Sequence, residues 1–190
     1  MLVVEIGINN RCVKICLPNG KVADILVPVL AEISKWIQDT PDAPESGGFI
    51  VGYQHKKTGN ISLEAVSHPY ESDYRSRIRF EVCDSRHIAF LKRQNRQKSY
   101  YMGVWHTHPQ KDPVPSSDDW YDWSETLRVD KTGCQYVFFL IAGTEKWRIW
   151  VGDILSKQIT EGYEFTKDSE GLYCKNDKNT IGRKNDNKNE

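Results

Sequence analysis

The chain has 190 residues, a length that suits one domain with a single core, or one domain followed by a tail. Its 26 basic and 26 acidic side chains balance, so composition gives no support to a nucleic-acid or anionic-membrane partner. The sequence has neither an apolar run of about 20 residues that would span a bilayer nor an N-terminus typical of a signal peptide. We therefore expect a cytoplasmic protein.

The first half of the chain alternates short β-type runs with helical patterns. Residues 2–8 and 11–17 predict an opening hairpin. Residues 22–38 have apolar positions at helical spacing, and Pro28 predicts a kink or a late start of that helix. Further strands are predicted at residues 49–53, 61–66 and 77–82, followed by an amphipathic helix at 84–97 with Asp84 as its N-cap.

The second half contains a strand, a proline-rich loop, a helix and two more strands. The strands are predicted at residues 101–108, 134–143 and 146–153, and the helix at 118–129. This order predicts an α/β or α+β domain with a central, mostly antiparallel sheet between helices. We assign residues 1–165 to this domain and predict that the polar residues 166–190 form a disordered tail.

Five cysteines are present, but their number is odd and they form no CxxC pair. Neither a zinc ribbon nor a thioredoxin-type pair is therefore indicated. We interpret them as buried or idle thiols in a reducing cell. The five are Cys12, Cys16, Cys83, Cys134 and Cys174.

Two histidines at the end of the predicted strand 101–108 point to a metal site. His106 and His108 are two positions apart, so both imidazoles leave the strand by the same face. Asp119 falls in the first turn of the next helix, from which its carboxylate can complete a set of three ligands. Two imidazoles and a carboxylate suit zinc, and three protein ligands leave a fourth position open for water.

A second interpretation of the same residues is structural. Ser116 and Asp119 precede an apolar helix at the spacing of a capping box, with Asp119 at the third helical position. The two interpretations are compatible because a cap fixes Asp119 in place.

The whole string, His106-x-His108 followed by Ser116-x-x-Asp119, resembles the JAMM motif of the JAB/MPN metalloprotease family. Glu45 and the Ser-Gly-Gly that follows it resemble the family's upstream glutamate segment, and the resemblance covers about residues 20–155. It implies a JAB/MPN fold and one zinc ion per chain, held by the two histidines and Asp119. It also implies that Glu45 is the general base, that it later protonates the leaving amine, and that Ser116 stabilises the oxyanion.

The resemblance also implies a substrate class. Family members mostly cut after the C-terminal glycine of ubiquitin-like proteins, and the loop after His108 is most similar to bacterial members. We expect a zinc (iso)peptidase of an anti-phage CBASS operon, acting on a conjugate with an extended C-terminal tail. That tail belongs to a ubiquitin-like protein or a CBASS nucleotidyltransferase. The alternatives are sulfur-carrier or phage-tail processing, a DNA-repair-associated role, and a metal-free MPN-type scaffold.

Overall fold

The computed structural model describes residues 12–129 and 134–162, and the backbone alone of residues 165–167 and 173–175. Three helices are present in this part of the chain: α1 (Val27–Ser34), α2 (Arg86–Arg96) and α3 (Ser117–Val129). The strands of the first half are β1 (Val13–Cys16), β2 (Val22–Ile25), β3 (Gly47–Gln54), β4 (Ile61–Val66), β5 (Tyr74–Ser76) and β6 (Arg79–Glu81). Those of the second half are β7 (Tyr100–Thr107), β8 (Tyr136–Ala142), β9 (Trp147–Asp153), β10 (Ile159–Glu161), β11 (Phe165–Lys167) and β12 (Tyr173–Lys175).

Eight strands form one sheet in the order β1-β2-β4-β3-β7-β8-β9-β10. The pairs β2–β4 and β7–β8 are parallel, and the other five pairs are antiparallel. The predicted α+β fold with a mostly antiparallel sheet is therefore confirmed. Among the residues that the structure describes, no helix is both long enough and apolar enough to cross a bilayer.

Strand β8 lies at the centre of the core because its run of apolar residues, YVFFLIA, is buried at every position. Tyr136, Phe138 and Leu140 point into the larger apolar cluster, which also contains Val29 and Ile33 of α1. The alternate positions of β8 point into a second cluster with Trp123 and Leu127 of α3. Continuous burial of this kind is typical of a strand that is covered on both faces of a sheet.

Several predicted elements differ from the observed ones. Residues 22–25 form β2 and not the start of a helix; the helix begins late, with Pro28 in its first turn, where a missing backbone N–H costs nothing. The strand predicted at 77–82 is shorter in the structure: residues 77–78 form a turn, and β6 (Arg79–Glu81) pairs with β5 as a separate hairpin. Ser85 and not Asp84 is the N-cap residue of α2, although Asp84 accepts the N–H of Arg86 at 2.9 Å.

Both chain ends lie partly outside the described residues. Residues 2–8 are outside them, so the opening hairpin stays a prediction; β1 itself pairs with β2. In the segment predicted to be a disordered tail, β11 and β12 form an antiparallel pair, which the prediction did not include. The rest of residues 166–190 lies outside the described residues, and the boundary at residue 165 remains a prediction.

Candidate active site

The end of β7 places the two histidines side by side. His106 and His108 lie on the same face of the strand, their Nε2 atoms are 3.1 Å apart, and their rings lie 4.8 Å apart. Thr107 between them points to the opposite face and is fully buried. The lone pairs of two imidazole nitrogens at this distance repel each other unless a proton or a cation lies between them.

The first turn of α3 brings a carboxylate to the same point. The Ser116 N–H and hydroxyl donate to Asp119 Oδ2 at 2.6 and 2.7 Å, and the Asp119 N–H donates back to Ser116 Oγ at 3.1 Å. This reciprocal arrangement is the predicted capping box. It leaves Asp119 Oδ1 3.1 Å from His106 Nε2 and Asp119 Oδ2 3.6 Å from His108 Nε2.

These three side chains have the chemistry and the spacing of a zinc site. A tetrahedral ion with bonds of about 2.0–2.1 Å separates its ligand atoms by about 3.3–3.4 Å. The two Nε2 atoms are 3.1 Å apart and Asp119 Oδ1 lies 3.1 Å from His106 Nε2, both close to that value; His108 Nε2 lies 3.6 Å from the other carboxylate oxygen, Oδ2. The exposed fraction of each side chain is low, between 10% and 16%, which keeps competing water away. The residues present therefore fit a zinc ion.

The strand register carries Glu45 to the same site. Gly47 of β3 lies opposite His106, so the chain just before β3 continues alongside the last residues of β7. Ser46 makes two bonds to Thr107: its N–H donates to Thr107 Oγ1 at 3.0 Å, and its carbonyl accepts the Thr107 N–H at 2.8 Å. As a result, Glu45, His106 and His108 each offer one ligand atom within 4.8 Å of the others.

A glycine permits this close approach. A Cβ atom at Gly48 would overlap the carbonyl oxygen of Ser67, whose hydroxyl accepts the N–H of Phe49 at 2.8 Å. Gly48 is therefore required, because any larger residue would prevent the close backbone packing next to the site.

Residues 26–152 match the family described as prokaryotic homologs of the JAB domain. The chain belongs to this family.

Two curated relatives of this JAB-domain chain carry the name CD-NTase/cGAS isopeptidase. The protein from Vibrio cholerae serotype O1 is 27% identical over 112 residues, which cover 57% of this chain and 67% of the relative. The protein from Escherichia coli strain TW11681 is 26% identical over 138 residues, which cover 71% and 83%. A solution structure of a Desulfitobacterium hafniense protein aligns with a TM-score of 0.48 at 17% identity, covering 72% of this chain and 87% of that one.

The two carboxylates of the JAB-domain site differ in pKa. Burial raises the pKa of Glu45 to about 7, although the nearby His106 opposes this rise. Burial also acts to raise the pKa of Asp119. The hydrogen bond and the charge of His106 and the hydrogen bonds from Ser116 outweigh this effect, so the pKa of Asp119 lies well below its usual range. Without metal, Asp119 is thus fully ionised at neutral pH, while Glu45 exchanges a proton there.

The two imidazoles also differ. Burial acts to lower the pKa of His106, but the hydrogen bond to Asp119 and the charges of Asp119 and Glu45 leave it raised. Burial and the neighbouring His106 lower the pKa of His108. A metal ligand must be an unprotonated imidazole, so a protonated His106 would have to lose its proton before it could bind a cation.

A cleft of about 500 Å³ opens onto Glu45, His108, Ser116 and Asp119. The β5–β6 hairpin forms one wall, along which apolar and charged residues alternate, and the first turns of α3 form another wall, which is mostly acidic. The other lining residues are Ile78, Arg79, Phe80, Glu81, Pro109, Gln110, Asp118, Tyr121 and Asp122. The cleft is open at the surface and therefore accessible to an extended chain.

The tryptophans near the motif are mostly structural. Trp105 is buried, and its indole N–H donates to the Ser67 carbonyl at 2.9 Å. Trp123 is also buried and stacks on Phe139, so it is not available to grip a substrate. Trp120 is 40% exposed on α3 but does not line the cleft; Tyr121 does.

The sequence prediction missed one important side chain near the site. The alternation of Arg75, Arg77 and Arg79 in the sequence predicts one solvated strand face, but in the structure Arg75 lies on β5, Arg77 lies in the turn and Arg79 lies on β6. Arg75 is half-buried and contacts the Glu45 backbone, whereas Arg77 and Arg79 are exposed. Nothing in the local pattern distinguishes Arg75, because its burial depends on contacts with a segment 30 residues away.

Proposed function

We propose that this JAB-domain protein is a zinc-dependent isopeptidase in which His106, His108 and Asp119 hold the metal and Glu45 is the general base. The convergence of Glu45 on the His-His-Asp set at the floor of an open cleft carries this proposal. The two relatives named isopeptidase support a hydrolase role in general, at modest identity.

The residues divide the work of amide hydrolysis. When bound, zinc supplies Lewis-acid chemistry, lowering the pKa of a water from about 15.7 to about 7 and polarising the scissile carbonyl. Glu45 accepts the proton of the attacking water and delivers it to the amine as the carbon–nitrogen bond breaks. The raised pKa of Glu45 near 7 suits a group that must accept and then release a proton.

Ser116 is proposed to donate a hydrogen bond to the developing oxyanion. In the structure its single hydroxyl proton is directed to Asp119 Oδ2. The oxyanion role therefore requires the hydroxyl to turn into the cleft when substrate binds. The Ser116 N–H keeps its own bond to Asp119, so the carboxylate stays in place during that rotation.

The proposed substrate is a protein conjugate whose modifier ends in an extended C-terminal tail. A cleft lined by Ile78, Phe80 and Tyr121 accepts an extended chain with apolar side chains. The name of the two relatives, CD-NTase/cGAS isopeptidase, favours a CD-NTase conjugate over a ubiquitin-like one, and we propose that this conjugate belongs to a CBASS system. Sulfur-carrier or phage-tail processing uses the same site, and panels of conjugates with different tails distinguish these substrates.

The test is Glu45→Gln, which keeps the side chain's shape but removes its ability to accept a proton. We expect the variant to fold and to keep its zinc, but to lose cleavage by about 10⁴-fold, the top of the usual range for general acid–base catalysis. Glu64→Gln is the matched control because Glu64 lies on β4 and does not line the cleft.

Cleavage rate, zinc content and conjugate binding are measured on both variants. A Glu45→Gln protein that cleaves within tenfold of wild type would remove Glu45 from the mechanism. If the variant instead loses its zinc, Glu45 is a metal ligand, and another group must activate the water. A wild-type protein that binds no zinc and cleaves no conjugate would support the scaffold alternative.

A further inference from the structure

Arg75 contacts the segment that carries Glu45. Its Nε donates to the Glu45 carbonyl at 2.9 Å. Its Nη2 donates to Ser46 Oγ and lies 3.5 Å from the Pro44 carbonyl. One guanidinium therefore contacts three consecutive residues, which its planar set of donors allows and a lysine ammonium does not reproduce.

Arg75 is itself held by an aromatic ring, and that ring is held in turn by a hydrogen bond. Its guanidinium lies 5.4 Å from the centre of the Trp36 ring, a distance typical of a cation–π contact. The Trp36 indole N–H donates to Glu32 Oε1 at 3.2 Å, so the ring is also held. Arg75 is thus a fixed support, not a mobile surface side chain.

The backbone of Glu45 is held on both sides, but its carboxylate is not. The Glu45 N–H donates to the Ser76 carbonyl at 2.7 Å, next to the Arg75 bond to the Glu45 carbonyl. Ser46 is bonded to Thr107 on the histidine strand. Within the part of the chain that the structure describes, no hydrogen bond holds the Glu45 carboxylate, so the backbone contacts set its position.

We propose that Arg75 is a positioning residue that holds Glu45 in its working place beside the two histidines; this rests on the proposed role of Glu45 as general base. Arg75 does not itself line the cleft, and its hydrogen bonds go to the main chain of Pro44 and Glu45 and to Ser46 Oγ, not to His106, His108 or Asp119. It acts through the main chain of residues 44–46. Its removal should leave the metal site complete and let the base move away from it.

The principal variant is Arg75→Met, which keeps a long side chain over Trp36 but removes every donor. We expect kcat to fall by about 10–100-fold, the usual cost of losing a group that supports an active-site residue, with KM within about twofold and zinc content unchanged. Arg75→Lys keeps the charge and should recover part of the loss. Arg77→Met is the matched control, because Arg77 lies on the same hairpin and donates to the Thr40 and Pro41 carbonyls, not to Glu45.

A readout independent of activity is amide hydrogen exchange on the metal-free proteins. Because the Glu45 N–H is bonded to Ser76, we expect Arg75→Met to speed its exchange by at least about tenfold, since local opening becomes easier. The His108 N–H, which donates to the Ala142 carbonyl at 3.0 Å, should keep its wild-type rate. Unchanged exchange at Glu45 in both Arg75 variants would overturn the proposal.

A double-mutant cycle connects the two readouts. If Arg75 acts through Glu45, Arg75→Met should slow single-turnover cleavage by less than about threefold in a Glu45→Gln background, because interacting sites are not additive. A penalty of full size in that background would overturn the proposal. If the proposed function itself fails, Glu45→Gln will be fully active. Faster exchange at Glu45 in Arg75→Met would then still show that Arg75 holds this segment. Unchanged exchange would show that it does not.

Discussion

Replacing Asp73 by Asn should strongly destabilise the fold, although Asp73 lies in a connecting segment just before a short hairpin. The Asp73 side chain is fully buried. Its Oδ1 accepts the N–H groups of Cys83 and Asp84, both at 2.9 Å. Its Oδ2 accepts the Tyr70 N–H at 2.7 Å and contacts His87 Nε2 at 2.8 Å. The carboxylate therefore ties the chain on both sides of the β5–β6 hairpin to the start of α2.

His87 completes this network. Its Nδ1 lies 2.8 Å from Ser67 Oγ, and Ser67 Oγ accepts the Phe49 N–H. A neutral imidazole with its proton on Nε2 satisfies every one of these contacts. Although Ser67, His87 and Asp73 have the residue types of a hydrolytic triad, Ser67 and His87 are fully buried, so substrate cannot reach them. The role of this network is structural.

The magnitude follows from counting acceptors. An amide in place of the carboxylate converts one oxygen into a donor, so two of the four bonded groups lose their acceptor. Each buried group left unsatisfied costs about 1–3 kcal/mol, so the free energy of unfolding should fall by about 2–6 kcal/mol. That is a large part of the roughly 5–15 kcal/mol that stabilises a typical domain.

The effect should depend on pH. Burial acts to raise the pKa of Asp73, but the N–H groups of Tyr70 and Asp84, with His87 and Cys83, leave that pKa lowered. A lowered pKa in the folded state contributes stability above the unfolded value of about 3.9, and this contribution is lost as pH falls below it. The difference between wild type and Asp73→Asn should therefore be full at pH 7 and shrink below about pH 4.

Urea denaturation of the metal-free proteins at pH 7 and at pH 3.5 measures this difference. Asp112→Asn is the control, because Asp112 is 47% exposed and its ion pair with Lys146 should contribute less than about 1 kcal/mol. An Asp73→Asn protein as stable as the control at pH 7 would refute the acceptor count. A difference that grows at pH 3.5 would refute the sign of the pKa argument.

Two further predictions concern the chemistry of the site. Elemental analysis should find one zinc per chain, removed by a chelator and absent when His106 and His108 are both changed to Ala; a stoichiometry near two would contradict the single site formed by these residues and Asp119. Alkylation at neutral pH should modify the exposed Cys83 without changing cleavage by more than about twofold, because none of the four cysteines that the structure describes lines the cleft; loss of activity in protein that keeps its zinc would assign a role to a thiol.

The central elements of the fold could be predicted because their patterns are local. The run of apolar residues in β8 and the periodicity of α3 depend on neighbours within a few positions. Residues 22–25 were predicted incorrectly because their apolar spacing fits both a helix and a strand. Pairing with β1 and β4 decides for the strand, and such long-range pairing is not visible in a local pattern. The hairpin turn at residues 77–78 was missed for a different reason: Arg77 and Ile78 are not among the residues that typically mark a turn.

The candidate site divides in the same way. The histidine pair and the Ser116–Asp119 cap were predictable because strand alternation and helix capping act over two or three residues. The contacts of Glu45 were not, because they combine the β3–β7 register with Arg75 and Ser76. The family resemblance identified Glu45 as a participant, but not what holds it.

The histidines, Asp119 and Glu45 are therefore held in place by three separate structural elements. Strand β7 fixes the histidines, the α3 cap fixes Asp119, and the hairpin with Arg75 fixes Glu45. In the proposed mechanism, the first two hold the metal ligands and the third holds the general base. Because the hairpin also forms a wall of the cleft through Ile78 and Phe80, a substrate that contacts this wall contacts the same element that holds Glu45. Metal affinity and base position are thus separable, whereas base position and substrate binding share one structural element.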